Sequence, residues 1–199
     1  MAQARYHTFI REKMQEISRE HTVLDVGGGD RFTKWLAEYQ ELFKDCDYKS
    51  MDYDAATGAD VVGDIHAIPL ADGSVDAIIC SSVLEHVRDP IRAMGELHRI
   101  LRKSGKIFLY VPSIYPYHAR KGSYPDYWRF FDDTLEMLCK DFSEYEIVKV
   151  GGYFKALLFF FPKQHKLRPI IDPTADFLDW LFKNAHRTTT SGYYVFARK

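Results

Sequence analysis

The spacing of apolar residues changes from helical to strand-like within the first third of the chain. Near the N-terminus apolar side chains recur every three or four positions, which predicts an amphipathic helix within residues 1–20. From Thr22 onward short β-branched runs alternate with helical stretches, a pattern that predicts βα units around a mostly parallel sheet. The apolar residues of the first helix are Tyr6, Phe9, Ile10, Met14 and Ile17. The predicted strands are TVLDV, CDYKSMD, ADVVGD, VDAIICSS and KIFLYVP, and the predicted helices are FTKWLAEYQELF and DPIRAMGELHRILR.

Residues that favour helix N-termini mark the start of two helices after residue 88. Asp89 can cap a helix whose first turn accepts Pro90. The tetrapeptide Asp133-Thr-Leu-Glu136 has the form of a capping box and predicts a helix to about Asp141. Beyond it the pattern predicts a strand at 144–150, a helix around 175–185 and a last strand at 192–199.

Two further segments, 112–130 and 152–190, are predicted to lie on the substrate side. The first is rich in aromatic and charged residues and is long for a connection in an α/β unit, which is typical of functional segments. Within the second, the apolar run Phe154–Pro162 has no polar face after Lys155. We expect this run to be buried core or a lid, with an exposed patch for a lipid-linked substrate or a partner as the alternative.

Composition places the chain among ordinary globular proteins. Its 199 residues, 46% hydrophobic and 28% charged, suffice for one domain with its own core, and we expect a single domain over 1–199. The formal net charge of −1 gives no broad attraction for a polyphosphate backbone, so nucleic acid is not an expected partner. No motif encodes an oligomeric state, and a homodimer stays an open alternative.

The cysteines, the apolar runs and the histidines argue against disulfide-bonded, exported, membrane-spanning and metal-binding proteins. Cys46, Cys80 and Cys139 are widely separated and include no C-x-x-C pair, which disfavours a disulfide framework and indicates a reducing cytoplasm. The N-terminus lacks the apolar core of a signal peptide, and no apolar run approaches the roughly 20 residues that a membrane span needs. The histidines show no ligand spacing such as H-E-x-x-H, so no metal site is predicted.

A glycine turn follows the first predicted strand and precedes a helix. Gly27, Gly28 and Gly29 remove the side chains that would keep a ligand away from the backbone. A dinucleotide fingerprint would need a third glycine at the position of Phe32, which disfavours a nucleotide-dependent oxidoreductase. The pattern Asp25-x-Gly27-x-Gly29 instead resembles motif I of class I S-adenosylmethionine (SAM) dependent methyltransferases. Arg31 stands where that family usually has a last glycine.

The same resemblance extends to the ends of the next strands. Asp52 lies 23 residues after Gly29, near the spacing of about 20 at which an acid meets ribose hydroxyls in Rossmann-like folds. The stretch from Gly63 to Val87 resembles methyltransferases of the type 11 group, which implies that Asp64 and Ile65 contact adenine. The residues predicted to bind SAM are Asp25, Gly27, Gly28, Gly29, Asp52, Tyr53, Asp64, Ile65, Ser81 and Ser82.

Candidate catalytic residues lie after the fourth and fifth strands. Glu85-His86 resembles the E-H pair of the type 11 group, and His118 is the residue of segment 112–130 with an ordinary pKa near neutrality. We expect His118 to act as the base, with His86 second. The Y-P-Y-H and D-Y-W-R-F elements resemble those of bacterial methyltransferases associated with glycan pathways. The predicted substrate-binding residues are Tyr117, Arg120, Tyr127, Trp128 and Arg129.

The resemblance implies a Rossmann-like, doubly wound, seven-stranded sheet with an antiparallel last strand and helices on both faces. It implies transfer of a methyl group from SAM to a small polar acceptor, for which we favour a hydroxyl of a sugar or related metabolite. The sequence C-S-S-V after the fourth strand differs from the N-P-P-Y tetrad of amino-methylating enzymes, and no P-C dipeptide supports cytosine methylation. The alternative is a SAM-binding regulatory or scaffolding protein without turnover.

Overall fold

Seven strands form one sheet in the order β3-β2-β1-β4-β5-β7-β6. The computed structural model describes residues 2–32, 34–158, 160, 164–182 and 189–199. β7 pairs antiparallel with both β5 and β6, whereas the pairs among β1 to β5 are parallel. The predicted sheet with an antiparallel last strand is therefore confirmed. The strands are β1 (Thr22–Val26), β2 (Asp47–Asp52), β3 (Val61–Val62), β4 (Val75–Ser81), β5 (Leu101–Pro112), β6 (Glu144–Lys149) and β7 (Gly192–Arg198).

Helices cover both faces of the sheet because neighbouring strand residues point to opposite sides. Val23 and Ile79 belong to a core cluster shared with the first helix, and Leu24 and Ile78 to a cluster shared with the second and third helices. The α-helices are α1 (Ala2–Ile17), α2 (Pro90–Ile100), α3 (Asp132–Cys139), α4 (Tyr153–Leu158) and α5 (Gln164–Leu181). Three 3₁₀ helices span Lys34–Phe43, Ala55–Thr57 and Leu84–His86.

The helix starts agree only in part with the sequence signals. Asp89 caps α2 as predicted, since its side chain accepts a hydrogen bond from the Arg92 backbone amide. The predicted capping box needs Asp133 as the N-cap of α3, and it does not form. The helix begins one residue earlier, at Asp132, and its N-cap is Phe131, which has an extended backbone. Asp132 instead accepts a 3.1 Å hydrogen bond from the Tyr193 hydroxyl. α5 begins well before the predicted 175–185, and 183–185 lie outside the described residues.

The apolar run after β6 is only partly buried. Ala156 is fully buried, but Leu157 and Phe160 are exposed. Positions 159 and 161–162 of the run lie outside the described residues. Within the part of the chain that the structure describes, no helix is long and apolar enough to cross a bilayer.

The parallel strands β1, β2, β4 and β5 bring their carboxyl ends to one edge of the sheet. The glycine turn follows β1, Asp52 ends β2, Ser82 follows β4 and segment 112–130 follows β5. Ligands of open α/β sheets bind in the crevice at this edge, so the topology gathers the predicted site residues there.

Candidate active site

A cavity of about 940 Å³ lies at the carboxyl edge of the sheet. It brings together residues that the sequence placed in separate motifs. The predicted residues that line it are Gly27, Asp52, Tyr53, Asp64, Ile65, Ser82, His86, His118 and Tyr127. The predicted residues outside its lining are Asp25, Gly28, Gly29, Ser81, Tyr117, Arg120, Trp128 and Arg129.

The glycine turn leaves no room for side chains. Gly27 has φ +75°, and a Cβ there would lie 2.3 Å from a methyl group of Val83. A Cβ at Gly28 would lie 2.1 Å from Oδ2 of Asp25. The turn therefore needs glycine at both positions to stay close to the strand ends on either side of it.

Asp25 lies beneath this turn and does not line the cavity. It is 3% exposed, and its Oδ2 accepts a 2.9 Å hydrogen bond from the Tyr48 hydroxyl. Burial and the neighbouring Asp25 charge raise the pKa of Tyr48, so the phenol stays protonated and donates. Asp25, the acid of the motif, is therefore packed beneath the turn and held there by Tyr48.

Two carboxylates that were predicted to bind the cofactor, those of Asp52 and Asp64, line the cavity near the ends of β2 and β3. Oδ2 of Asp52 lies 3.7 Å from the Cβ position of Gly29, so the Asp52 carboxylate stands beside the glycine turn. Asp64 accepts 2.9 Å and 2.6 Å hydrogen bonds from the backbone amide and Nδ1 of His66. The backbone bond is the largest cause of the lowered pKa of Asp64. His66 also lines the cavity, and sequence reasoning missed it because it matches no motif.

Arg31 points away from the cavity. Its guanidinium forms an ion pair with Asp60, with Nε 2.8 Å from Oδ2. Oδ2 of Asp60 also accepts a 2.8 Å hydrogen bond from the Ser50 backbone amide. The hydrogen bond from Arg31 is the largest cause of the low pKa of Asp60, about 2. The residue in place of the family's last glycine therefore joins the turn to the segment before β3.

The Glu85, His86 and His118 side chains meet on the cavity wall, and we name them the His–Glu cluster. Oε1 of Glu85 lies 3.7 Å from Nε2 of each histidine. Burial raises the pKa of Glu85 to about 7 and lowers the pKa of His86. The E-H resemblance indicated the first two residues, but only the fold brings His118 to them.

Segment 112–130 is tied to the short helix that carries Glu85. The backbone amides of Tyr127 and Trp128 donate to the Glu85 carbonyl at 2.8 and 3.2 Å. Nε1 of Trp128 donates to the Val87 carbonyl at 2.9 Å. The Tyr53 hydroxyl donates to the Ser123 carbonyl, which connects the end of β2 to the same segment. These bonds fix segment 112–130 against the Glu85 helix and the end of β2, next to the cavity.

The other predicted substrate-binding residues differ in their contacts within the protein and in their exposure. Arg129 holds the carboxylate of Asp126 through two bonds of 2.6 and 2.7 Å. Arg120 forms an isolated antiparallel bridge with Tyr124 at the backbone, and Tyr117 is 78% exposed. Tyr115 and Tyr124 line the cavity, whereas Tyr117 and Trp128 do not, so Tyr127 is the one predicted aromatic substrate residue found in the lining.

Comparison with known proteins gives a consistent result. A model of the methyltransferase domain family matches residues 24–109. An uncharacterized methyltransferase of Mycobacterium sp. (strain KMS) is 38% identical over 94 residues, which cover 42% of this chain and 36% of that protein. A putative methyltransferase of Encephalitozoon cuniculi is 32% identical over 130 residues, which cover 59% of this chain and 61% of that protein.

A solved structure has the same fold. The SAM-dependent methyltransferase of Archaeoglobus fulgidus superposes with a TM-score of 0.63 at 15% identity, over 99% of this chain and 94% of that one. The chain spans less than two thirds of the length of the curated relatives it matches.

The residues present fit SAM. The cavity is lined by the Gly27 backbone, where a Cβ would collide with Val83, by an acid at the end of β2 and by an apolar side chain next to Asp64. A model of the methyltransferase domain family matches residues 24–109, and the chain shares the fold of a SAM-dependent methyltransferase, whose cofactor the residues of the cavity fit.

Proposed function

We propose that the chain transfers a methyl group from SAM to a hydroxyl of a small polar acceptor, a sugar or a related metabolite. The observation that carries this proposal is that the His–Glu cluster lines the same cavity as Gly27, Asp52 and Asp64. A hydroxyl is a poor nucleophile until its proton is removed, and imidazole is suited to that task at neutral pH.

SAM, when bound, supplies an activated methyl group, whose carbon bonds to the acceptor oxygen while the carbon–sulfur bond breaks and leaves its electron pair on sulfur. The protein gains rate chiefly by holding the reacting groups in line. We assign Asp52 and Tyr53 to the ribose side and Asp64 and Ile65 to the adenine side, because they line one wall of the cavity. Gly27 and Ser82 line the cavity at the ends of the central strands, next to the acceptor side.

His118 is the acceptor for the hydroxyl proton in this proposal, with His86 second. Nδ1 of His118 lies 3.2 Å from oxygens of both Asp126 and Pro116 and 3.5 Å from Nη2 of Arg129, and we assign the proton to Nδ1 because the two acceptors are the closer partners. Nε2 is then the basic nitrogen, and it faces Glu85 at the cavity wall. The anchored ring keeps one tautomer and one orientation, as a general base requires.

The acceptor enters between aromatic side chains. Tyr115, Tyr124 and Tyr127 line the cavity, and rings of this kind stack on the apolar face of a sugar. Exposed Arg120 is available to an anionic group of the acceptor. Arg129 is engaged by Asp126, and we propose that it shapes the segment that carries His118.

The charge of the chain supports a small metabolite as the partner, because a net charge of −1 provides no broad attraction for a nucleic acid.

The first experiment is a thermal-shift titration with S-adenosylhomocysteine, SAM and NAD in parallel. A ligand at about 100 times its dissociation constant adds roughly 2.7 kcal/mol, so the two sulfur nucleotides should raise the midpoint by several degrees and NAD should not. Radiolabelled SAM is then offered with pools of hydroxyl, amine and thiol acceptors. His118→Ala should abolish methylation of hydroxyls, whereas His7→Ala, an exposed imidazole on α1, should not change it. Nucleotide binding without any methyl loss from SAM would favour the regulatory alternative.

A further inference from the structure

Three side chains of metal-binding type converge at one point of the cavity wall. Oε1 of Glu85 lies 3.7 Å from Nε2 of His86 and from Nε2 of His118. One donor atom from each of the three residues lies within 4.8 Å of both others. Tetrahedral donor atoms at about 2.0–2.2 Å from a shared cation are about 3.3–3.6 Å apart, so the two 3.7 Å separations are slightly wider than those of a cation-bound set.

Both histidines present the same nitrogen to this point. Nδ1 of His86 lies 2.5 Å from the Pro125 carbonyl oxygen and therefore carries the proton that this bond requires. Nδ1 of His118 faces Asp126 Oδ2 and the Pro116 carbonyl, as described above. The lone pair of each ring is thus on Nε2, toward Glu85. Histidine ligands of metals usually donate their other ring N–H to a carboxylate or a carbonyl in this way.

One oxygen of the buried Glu85 carboxylate lacks a hydrogen bond. Glu85 is 1% exposed, and its Oε2 has no hydrogen-bond partner in the part of the chain that the structure describes. The guanidinium of Arg129, whose charge acts on Glu85, is paired with Asp126 through two hydrogen bonds. The charges of Arg129 and Asp126 cancel, so Glu85 leaves the cluster with one net negative charge when ionised. A buried charge without compensation is costly, and a cation at the cluster supplies the compensation.

We infer that Glu85, His86 and His118 bind a divalent transition-metal cation at the acceptor side of the cavity. Two imidazoles and one carboxylate favour Zn²⁺, Mn²⁺, Co²⁺ or Fe²⁺ over Mg²⁺ and Ca²⁺, which prefer all-oxygen sites. Three protein ligands leave coordination positions open to the cavity, as in catalytic metal sites.

This inference deepens the proposed function and rests on it for the chemical use of the cation. A cation at the His–Glu cluster lowers the pKa of a coordinated hydroxyl, so the proton passes to solvent before the oxygen attacks the methyl carbon. The Nε2 lone pairs are then used as ligands, and His118 holds the cation in place of accepting the proton directly. Loss of His118 abolishes methylation in either case, so only cation binding itself separates the two roles.

The test measures binding of Co²⁺ and Zn²⁺ to the full chain without SAM or acceptor. Metal-free protein is titrated with Co²⁺ while its visible absorption is followed, and Zn²⁺ is then added in competition. We expect one Co²⁺ per chain, displaced by Zn²⁺. We expect Glu85→Gln and His118→Ala to weaken binding by at least about 100-fold, the upper end of the effect of losing an outer-shell partner. His7→Ala is the matched control for loss of an imidazole and should bind as wild type does.

A second measurement needs no variant. Diethylpyrocarbonate modifies accessible imidazoles, and Zn²⁺ should protect His86 and His118 from it while His7 reacts as before.

Each variant of the Co²⁺ titration is also checked for its thermal shift with S-adenosylhomocysteine, which a misfolded chain would lose.

Equal Co²⁺ affinity in wild type and His118→Ala, or equal modification of both histidines with and without Zn²⁺, would overturn the inference. Full methylation of a hydroxyl acceptor in the presence of EDTA would also overturn it, while leaving the proposed function and the direct role of His118 intact. Cation binding at the cluster without methylation of any hydroxyl would support the inference and contradict the proposed function.

Discussion

The Tyr48 hydroxyl donates a 2.9 Å hydrogen bond to the buried Asp25 carboxylate, directly below the glycine turn. The Asp25 carboxylate in turn occupies the space that a Cβ of Gly28 would need. The position of the turn therefore depends on a phenol in the neighbouring strand, which no nucleotide-binding motif contains.

Tyr48→Phe should destabilise the protein and weaken cofactor binding. It removes the hydrogen bond and leaves a buried carboxylate oxygen short of a donor, at a cost of about 1–3 kcal/mol. Urea unfolding measures the loss of stability, and titration with S-adenosylhomocysteine measures the loss of affinity. Tyr145→Phe, on the exposed side of β6, is the control and should change neither. Unchanged stability of Tyr48→Phe would mean that the carboxylate is held by its other neighbours.

Gly28→Ala should reduce affinity for S-adenosylhomocysteine by at least about 10-fold, or roughly 1.4 kcal/mol. The new methyl group would collide with the Asp25 carboxylate, so the turn must move. Gly95→Ala is a matched control inside α2, where a Cβ meets nothing within 4 Å. Since alanine is the better helix former, this control should gain about 0.5–1 kcal/mol of stability and keep its affinity. Isothermal titration calorimetry of both variants compares the two outcomes, and equal affinities would argue against a cofactor at the turn.

Arg31→Gly, which restores the family's usual residue, should leave the affinity for S-adenosylhomocysteine within about twofold of wild type. The Arg31 side chain pairs with Asp60 outside the cavity, so its removal neither opens nor blocks the cofactor wall. The free energy of unfolding should fall by about 1 kcal/mol or less, because the side chain is half exposed and solvent screens the pair. A large gain in affinity would show that the arginine obstructs binding after all.

The Asp60 ion pair should make part of the stability pH-dependent. Arg31 lowers the pKa of Asp60 to about 2, below the ordinary value of 3.8. A lowered folded-state pKa stabilises the fold above the unfolded-state value, and this contribution is lost as the pH falls from about 4 toward 2. The stability difference between wild type and Asp60→Asn should therefore be present at pH 7 and shrink across that window. Urea unfolding from pH 7 to 2.5 measures it, and a constant difference would contradict the assignment.

The fold was predictable because its signals are local. Strands such as β4, buried on both faces, are continuous apolar runs, and the glycine turn and Asp89 mark where neighbouring elements begin. The position of Asp52, Asp64 and Ser82 in the cavity lining was predictable for the same reason, since each ends or closely follows a strand. Asp25 was predicted to bind the cofactor. Its position under the turn instead involves a hydrogen bond from Tyr48, and the sequence did not indicate this contact because the two residues are distant in the chain.

The acceptor side was less predictable because long-range contacts build it. His86 and His118 belong to different connections, and their spacing in the chain matches no ligand pattern. Their convergence on Glu85 depends on the bonds that Tyr127 and Trp128 make to the Glu85 carbonyl. Asp126, by contrast, lies only three residues before Arg129; their ion pair is local, although it was not predicted that it would occupy the guanidinium and leave less of it for a substrate.

The insertion of β7 between β5 and β6 has a consequence for synthesis of the chain. A ribosome delivers β6 before β7, and β6 pairs with no strand other than β7 among the described residues. Until β7 emerges, β5 presents an unpaired edge and the hydrophobic faces of the nascent sheet stay incompletely covered, a state prone to edge-to-edge association. Completion of the sheet requires Lys106 of β5 to find Arg198 of β7, across a long chain separation that makes this step slow. Translation pauses before residue 192 would therefore lengthen the period in which the nascent chain needs a chaperone.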